Sequence, residues 1–278
     1  MNLRQGLAEG IARLKAAGID GAARDARALL AEAAGIAPGR VMLEADMVLS
    51  DPARFRALIA RRAAGEPVSR ILGRRQFWGR DFTVTRDTLD PRPETELLVG
   101  LAASEPFTRV LDLGTGSGCI VLSLLLEQPQ ASGVATDVSP EAMRIAGENA
   151  ARLGVADRLI LPLSDWFMDV GGRYDLIVSN PPYIAADEMA VLDPDVRDFE
   201  PRQALTDEAD GLTAYRIIAA NALNHLTPGG RILVEIGPMQ AEAVSALFQE
   251  AGLEDIRTHT DLVDRDRVIA ARAAKSSF

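Results

Sequence analysis

Along the first quarter of the chain, apolar side chains return every three or four positions. Leu3, Leu7, Ile11 and Leu14 form one such stripe, and Gly18 stops it. The stretch "AARDARALLAEAAG" repeats the pattern as far as Gly35. A third, "DPARFRALIARRAAG", opens with Asp51 placed to cap the first turn and Pro52 at the first helical position. Residues 1–72 are therefore expected to form a small helical domain. From residue 73 to 90 the period drops to two. "RRQFWGRDFTVT" alternates aromatic or β-branched residues with polar ones around Gly79, which predicts a β-hairpin linker. Pro93 and Glu94 then open another helix.

From residue 108 the pattern becomes strand, glycine turn, helix, repeated. "RVLDL", "GVATDV", "RLILPLS", "YDLIVS" and "GRILVEIG" read as five buried strands, with helices expected from Cys119 to about Gln128, over 140–154, near 210–226 and over 239–251. That alternation predicts an α/β domain over 91–278, built on a mainly parallel sheet covered on both faces. "DIRTHTD" and "DRVIAARA" close the chain with no helix between them, so they are expected as an antiparallel pair at the sheet edge.

Composition removes several function classes. No apolar run approaches the roughly 20 residues needed to cross a bilayer, and the N-terminus is amphipathic, unlike a signal peptide. No membrane association is expected. A single cysteine, Cys119, excludes an internal disulfide and fits a reducing cytoplasm. It is expected as a small core residue of its helix. His225 and His259 lie far apart, so no metal site is expected. Residues 1–90 carry 15 basic against 11 acidic side chains, whereas residues 91–278 carry 15 against 29. An α/β domain that acidic repels a phosphate backbone, which argues against nucleic acid as the direct substrate. Nine arginines fall within residues 54–86. A solvated face is the plainer reading of them, and a docking surface for an acidic partner the other.

The candidate chemistry lies in the turns after the strands. Asp112 and Leu113 lead into Gly114, Thr115, Gly116, Ser117 and Gly118, between a strand and a helix. Such a turn sits at the carboxyl ends of the strands, where backbone N–H groups can approach a ligand closely. Asp137 ends the next strand, where a carboxylate can accept both hydroxyls of a ribose. The spacing is G-x-G-x-G and not G-x-G-x-x-G, which weakens a dinucleotide reading without removing it. Trp166 follows the third strand; core packing and a flat border for an adenine ring both suit it. After the fourth strand come Asn180, Pro181, Pro182 and Tyr183. The prolines stiffen this segment and withhold two N–H donors. The Asn180 side-chain oxygen and the Pro181 carbonyl make two acceptors, and Tyr183 adds a flat face. Together they suit a planar substrate –NH2 group whose delocalised lone pair must be aimed at an electrophile.

With "DLGTGSG", Asp137, "SDWF" and "NPPY" in this order, the chain resembles the class I S-adenosylmethionine-dependent methyltransferases that act on planar nitrogen. The helical N-terminal region, "QFWGRDF", "PRPETE" (91–96) and "FEPRQAL" (199–205) make it similar to the HemK/PrmC family of protein-(glutamine-N5) methyltransferases. The resemblance spans nearly the whole chain. It implies a Rossmann-like sheet, S-adenosyl-L-methionine as cofactor, and peptide chain release factors as protein substrate, methylated on the glutamine of a Gly-Gly-Gln loop. It implies that residues 114–118 hold the methionine part of the cofactor, Asp137 the ribose, and that Trp166 borders the adenine. Asn180 would face both cofactor and substrate, with residues 180–183 clamping the glutamine amide. Residues 1–72 would dock the substrate protein. A ribosomal-protein glutamine remains an alternative substrate, as does, more remotely, a flipped nucleic-acid base.

Overall fold

The computed structural model describes residues 1–275 and divides the chain into two compact units. The smaller comprises Met1–Arg74 with Asp193–Phe199. Its helices are α1 (Leu3–Ala16), α2 (Ala22–Ala34), α3 (Pro52–Ala63) and α4 (Val68–Leu72). Asn2 caps α1: its side chain accepts from Gln5 N at 2.9 Å, while Gln5 Oε1 accepts from Asn2 N at 3.0 Å. Asp51 caps α3 by accepting from Arg54 N at 2.8 Å. Leu3, Leu14, Leu29, Leu30, Phe55 and Ile59 form the core. Beside it, buried Arg62 donates to buried Asp25 at 2.9 Å, so α2 and α3 share a desolvated ion pair. Arg24 Nε also donates to Asp25, at 3.1 Å.

The larger unit comprises Arg75–Leu192 and the chain from Glu200 onward. It carries the hairpin β1 (Arg74–Phe77) and β2 (Arg80–Thr83), then α5 (Thr95–Ala103), β3 (Arg109–Leu113), α6 (Cys119–Glu127), β4 (Ser132–Thr136), α7 (Pro140–Arg152) and β5 (Leu159–Ile160). After β6 (Tyr174–Ser179), the short α8 (Pro194–Arg197) falls within the segment counted with the smaller unit. The larger unit ends with α9 (Thr213–His225), β7 (Leu226–Glu235), α10 (Ala241–Glu250), β8 (Glu254–Thr260) and β9 (Asp266–Arg272). The hairpin packs with this unit. Phe77 and Phe82 meet edge to face at 6.0 Å within its core. Trp78 donates from its backbone to Glu96 at 2.6 Å and from its indole to Glu127 at 2.9 Å.

The sheet order is β5-β4-β3-β6-β7-β9-β8. The first five strands run parallel; β9 pairs antiparallel with both β7 and β8. Each face is covered by a separate apolar cluster, one including Val110, Leu122, Leu176 and Val178, the other Leu111, Ile177, Tyr215 and Phe248. Strand alternation thus feeds both faces, as a doubly covered sheet requires. The third strand is shorter than the pattern predicts. Only Leu159 and Ile160 pair continuously, because Pro162 lacks the N–H a ladder needs; an isolated bridge from Leu163 to Asp137 follows. Among the described residues, no helix is long and apolar enough to cross a membrane, and no group of His, Cys, Asp and Glu could hold a metal ion.

Candidate active site

Register brings the site together. Leu113, the last residue of β3, pairs with Thr136 of β4 on one side and Ser179 of β6 on the other. The residues that follow these three therefore emerge side by side at one edge of the sheet. They border a cavity of about 640 Å³, ample for a nucleoside-sized ligand.

Gly114, Thr115, Gly116 and Ser117 line this cavity; Gly118 lies behind them as the residue before α6. Gly114, Gly116 and Gly118 have φ of 70°, 55° and 81°, a region that side chains strain to enter, so the turn needs glycine there. Beneath it, Thr115 Oγ1 donates to Asp112 at 2.7 Å. Burial pushes the Asp112 carboxyl up to about 7, and its Oδ1 has no partner among the described residues. Asp137 also lines the cavity. It accepts from Gly116 N and Ser139 N, each at 2.9 Å, which ties the turn to the start of α7. Burial raises its pKa, while these backbone donors, with that of Val138, hold it down. Each carboxylate oxygen keeps a further lone pair for a ligand hydroxyl. Trp166 is half-buried on the same wall with φ of 51°. Cys119 reaches the cavity, but burial pushes its thiol up to about 12 and leaves it inert.

Asn180 and Pro182 line the cavity, with Pro181 between them and Tyr183 next on the same short segment. Asn180 Nδ2 donates to Thr95 Oγ1 at 3.2 Å, so its donor end is engaged within the protein. The Tyr183 ring lies against Gly237, where an added Cβ would meet its Cδ2 at 3.4 Å. Burial pushes its hydroxyl up to about 12, so the ring stays neutral. Its carbonyl accepts from Gln240 Nε2 at 2.8 Å, and the same amide donates to Gly211 O at 3.2 Å. Gly211 has φ of 75°, and a Cβ there would stand 2.4 Å from Tyr183 O. Asp207 shapes this strap by accepting from the N–H groups of Ala209, Gly211 and Thr213 at 2.9 Å.

Pro91, Arg92, Pro201 and Gln203 also line the cavity. Buried Glu200 accepts from Arg92 at 2.9 Å and from Asp90 N at 3.1 Å, joining the "PRPETE" and "FEPRQAL" segments.

Comparison with known proteins decides the family. The chain is 57% identical, over 98% of its length and 99% of the relative's, to the release factor glutamine methyltransferase of Cereibacter sphaeroides. The chain belongs to the release factor glutamine methyltransferase family. The protein of that name from Rhodospirillum rubrum is 46% identical over 96% of this chain and 83% of its own. Two family profiles match, the PrmC N-terminal domain over residues 5–73 and the methyltransferase small domain over residues 84–193. A methyltransferase structure from Pyrococcus furiosus superposes with a TM-score of 0.56 at 16% identity, covering 79% of this chain and 98% of that one; it shares the fold.

Several residues of this family member's site escaped the sequence reading. Thr95, Gln240 and Gly211 sit in motifs whose function depends on which loops meet. Glu235 carried a legible signal, a lone carboxylate inside the apolar run "ILVEIG". Arginines of 54–86 also find partners. Arg54 and Arg74 pair with Glu32, Arg56 with Glu9, Arg61 with Glu66, Arg62 with Asp25, Arg75 with Asp90 and Arg80 with Glu127. Each of these arginines thus has an acidic partner within the protein.

Proposed function

We propose that the chain transfers a methyl group from S-adenosylmethionine to the side-chain amide nitrogen of the glutamine in the Gly-Gly-Gln motif of peptide chain release factors. The observation that carries this reading is the orientation of Asn180. Its NH2 is committed to Thr95, which leaves Oδ1 as the group it can offer, in the cavity that the glycine turn also lines.

The donor set suits that cofactor. Asp112 has an unpartnered buried oxygen below the turn, and Asp137 has lone pairs for the two ribose hydroxyls. Both acids favour a cationic ligand over a polyphosphate. Gly114, Thr115, Gly116, Ser117 and Gly118 would hold the methionine part, and Trp166 would border the adenine. S-adenosylmethionine supplies an electrophilic methyl group on a sulfonium. The protein's part is to make an amide nitrogen nucleophilic. Asn180 Oδ1 and the Pro181 carbonyl would each accept one hydrogen of the substrate –NH2, fixing its plane so that the lone pair faces the methyl. Holding both hydrogens favours pyramidalisation as attack proceeds. Pro182 keeps this backbone stiff, and Tyr183, packed on Gly237 and tied through its carbonyl to Gln240, fixes the end of the segment. The extra proton on the methylated nitrogen is acidic and leaves to water or a carbonyl.

One glutamine side chain offers too little surface to select a protein. The N-terminal helices, residues 1–72 with no cavity chemistry of their own, would therefore dock the body of the release factor, a reaction that belongs in the cytoplasm. The test is to incubate the chain with methyl-labelled S-adenosylmethionine and, separately, release factor, ribosomal protein and DNA. Label on the release factor alone is expected. Label confined to either alternative overturns the reading.

A further inference from the structure

Two buried polar side chains, Glu235 and the cavity-lining Thr95, converge on Asn180. Glu235 is the last residue of β7 and only 1% exposed. Its neighbours Ile232, Leu233, Val234 and Ile236 are apolar and buried, so a carboxyl gains nothing from packing there. Its Oε2 has no hydrogen-bond partner among the described residues. The parallel pairing of Ser179 with Val234 brings the next residues, Asn180 and Glu235, alongside each other. The Thr95 and Asn180 side chains lie close enough to the Glu235 carboxyl to favour its charged form, and Asn180 donates to Thr95 Oγ1 at 3.2 Å. Thr95, the first residue of α5, is 2% exposed.

We propose that Glu235, acting with Thr95, is a positioning residue that holds the Asn180 amide the right way round for methyl transfer. The proposal deepens the glutamine-methyltransferase reading and rests on it. The two ends of an amide are nearly the same size, so packing discriminates poorly between its two orientations; hydrogen-bond polarity discriminates well. A carboxylate only accepts. The Thr95 hydroxyl therefore donates to it, which leaves the Thr95 oxygen to accept, and Asn180 must turn its NH2 inward. Its Oδ1 is left for the substrate. A neutral group with a donor at position 235 removes this constraint. Thr95 can then donate to Asn180, and the flipped amide sets NH2 against the substrate's own NH2.

Burial pushes the Glu235 carboxyl up to about 7, opposed by Thr95, Arg267 and Asn180 and reinforced by Glu94. Tyr183, Tyr215 and Cys119 also face it, each raised by burial and neutral in this range. Ionisation of Glu235 thus falls where activity can be assayed.

The test uses the full chain, S-adenosylmethionine and whole release factor, with Glu235→Gln, Thr95→Val and Thr95→Ser. Glu235→Gln and Thr95→Val should lower kcat about tenfold to a hundredfold, the effect of losing one oriented, charge-assisted hydrogen bond. Cofactor Kd should stay within about twofold, as expected when only transition-state geometry is lost. Thr95→Ser should retain most of the activity. The acidic limb of the kcat–pH profile near about pH 7 should be missing from Glu235→Gln. Glu235→Gln combined with Asn180→Asp should outperform Asn180→Asp alone, because amide and carboxylate have exchanged places. No methyl transfer to glutamine by the unaltered chain would refute the functional reading itself. An active unaltered chain whose Glu235→Gln form keeps the same kcat and pH profile overturns the positioning role alone. Should that variant not fold, equal kcat for Thr95→Val and Thr95→Ser overturns it instead.

Discussion

Asn180 has one group to give a ligand, because its nitrogen is committed to Thr95. Asn180→Ala should therefore lower single-turnover methyl transfer by about 10²–10³, the usual loss when one positioned group at a reacting centre is removed. Cofactor affinity, read by calorimetry, should change little. Near-normal transfer would show that the amide is not oriented there. Asp137→Ala should act the opposite way, on affinity, since charge-assisted contacts to hydroxyls contribute about 1.5–3 kcal/mol each. It should also loosen the glycine turn, whose Gly116 N–H that carboxylate accepts. Unchanged calorimetric affinity would make Asp137 purely structural. Glu235 also predicts a pH dependence of stability. Its folded pKa, pushed up to about 7 by burial, exceeds its ordinary value of 4.5, so the folded state binds the extra proton between them. That contribution is present at low pH and lost as pH rises through about 7. The Tm of Glu235→Gln should gain on that of the unaltered chain between about pH 5 and about pH 8, and a constant difference would contradict the assignment.

At the scale of elements, the site depends on three strand ends in register and on one strap across them. Gln240 binds the carbonyls of Tyr183 and Gly211 together, and Gly211 has no room for a side chain beside Tyr183 O. Gly211→Ala should displace the segment after β6, lowering kcat for release factor while cofactor binding at the glycine turn and Asp137 persists. Equal kcat would show that the strap is incidental. This is also where the sequence stopped being legible. The glycine turn, Asp137 and residues 180–183 are local motifs defined by adjacent residues, so the sequence could propose them directly. The contact of Asn180 with Thr95 spans 85 positions and that of Tyr183 with Gln240 spans 57, and no local period encodes which loops meet. The third strand misled for a different reason. Its apolar run is genuine, but Pro162 interrupts the ladder that the run suggests. The last two strands could be placed because the absence of an intervening helix leaves only antiparallel pairing.

At the scale of the molecule, one unit holds the cavity and the other carries none of its lining residues. If the smaller unit docks the substrate protein, a chain beginning at residue 75 that still folds and binds cofactor should lose most kcat/KM for whole release factor. A free Gly-Gly-Gln peptide should be a poor substrate for both forms and should not distinguish them. Full activity of the shortened chain on release factor would reduce the helices to a stabilising role. The most direct measurement concerns the bond that is made. Release factor incubated with the chain and S-adenosylmethionine can be digested and read by tandem mass spectrometry. The expected result is one added methyl group on the side-chain nitrogen of the Gly-Gly-Gln glutamine, absent from an Asn180→Ala reaction. A methyl on any other residue, or an unmodified release factor beside another labelled acceptor, would contradict it.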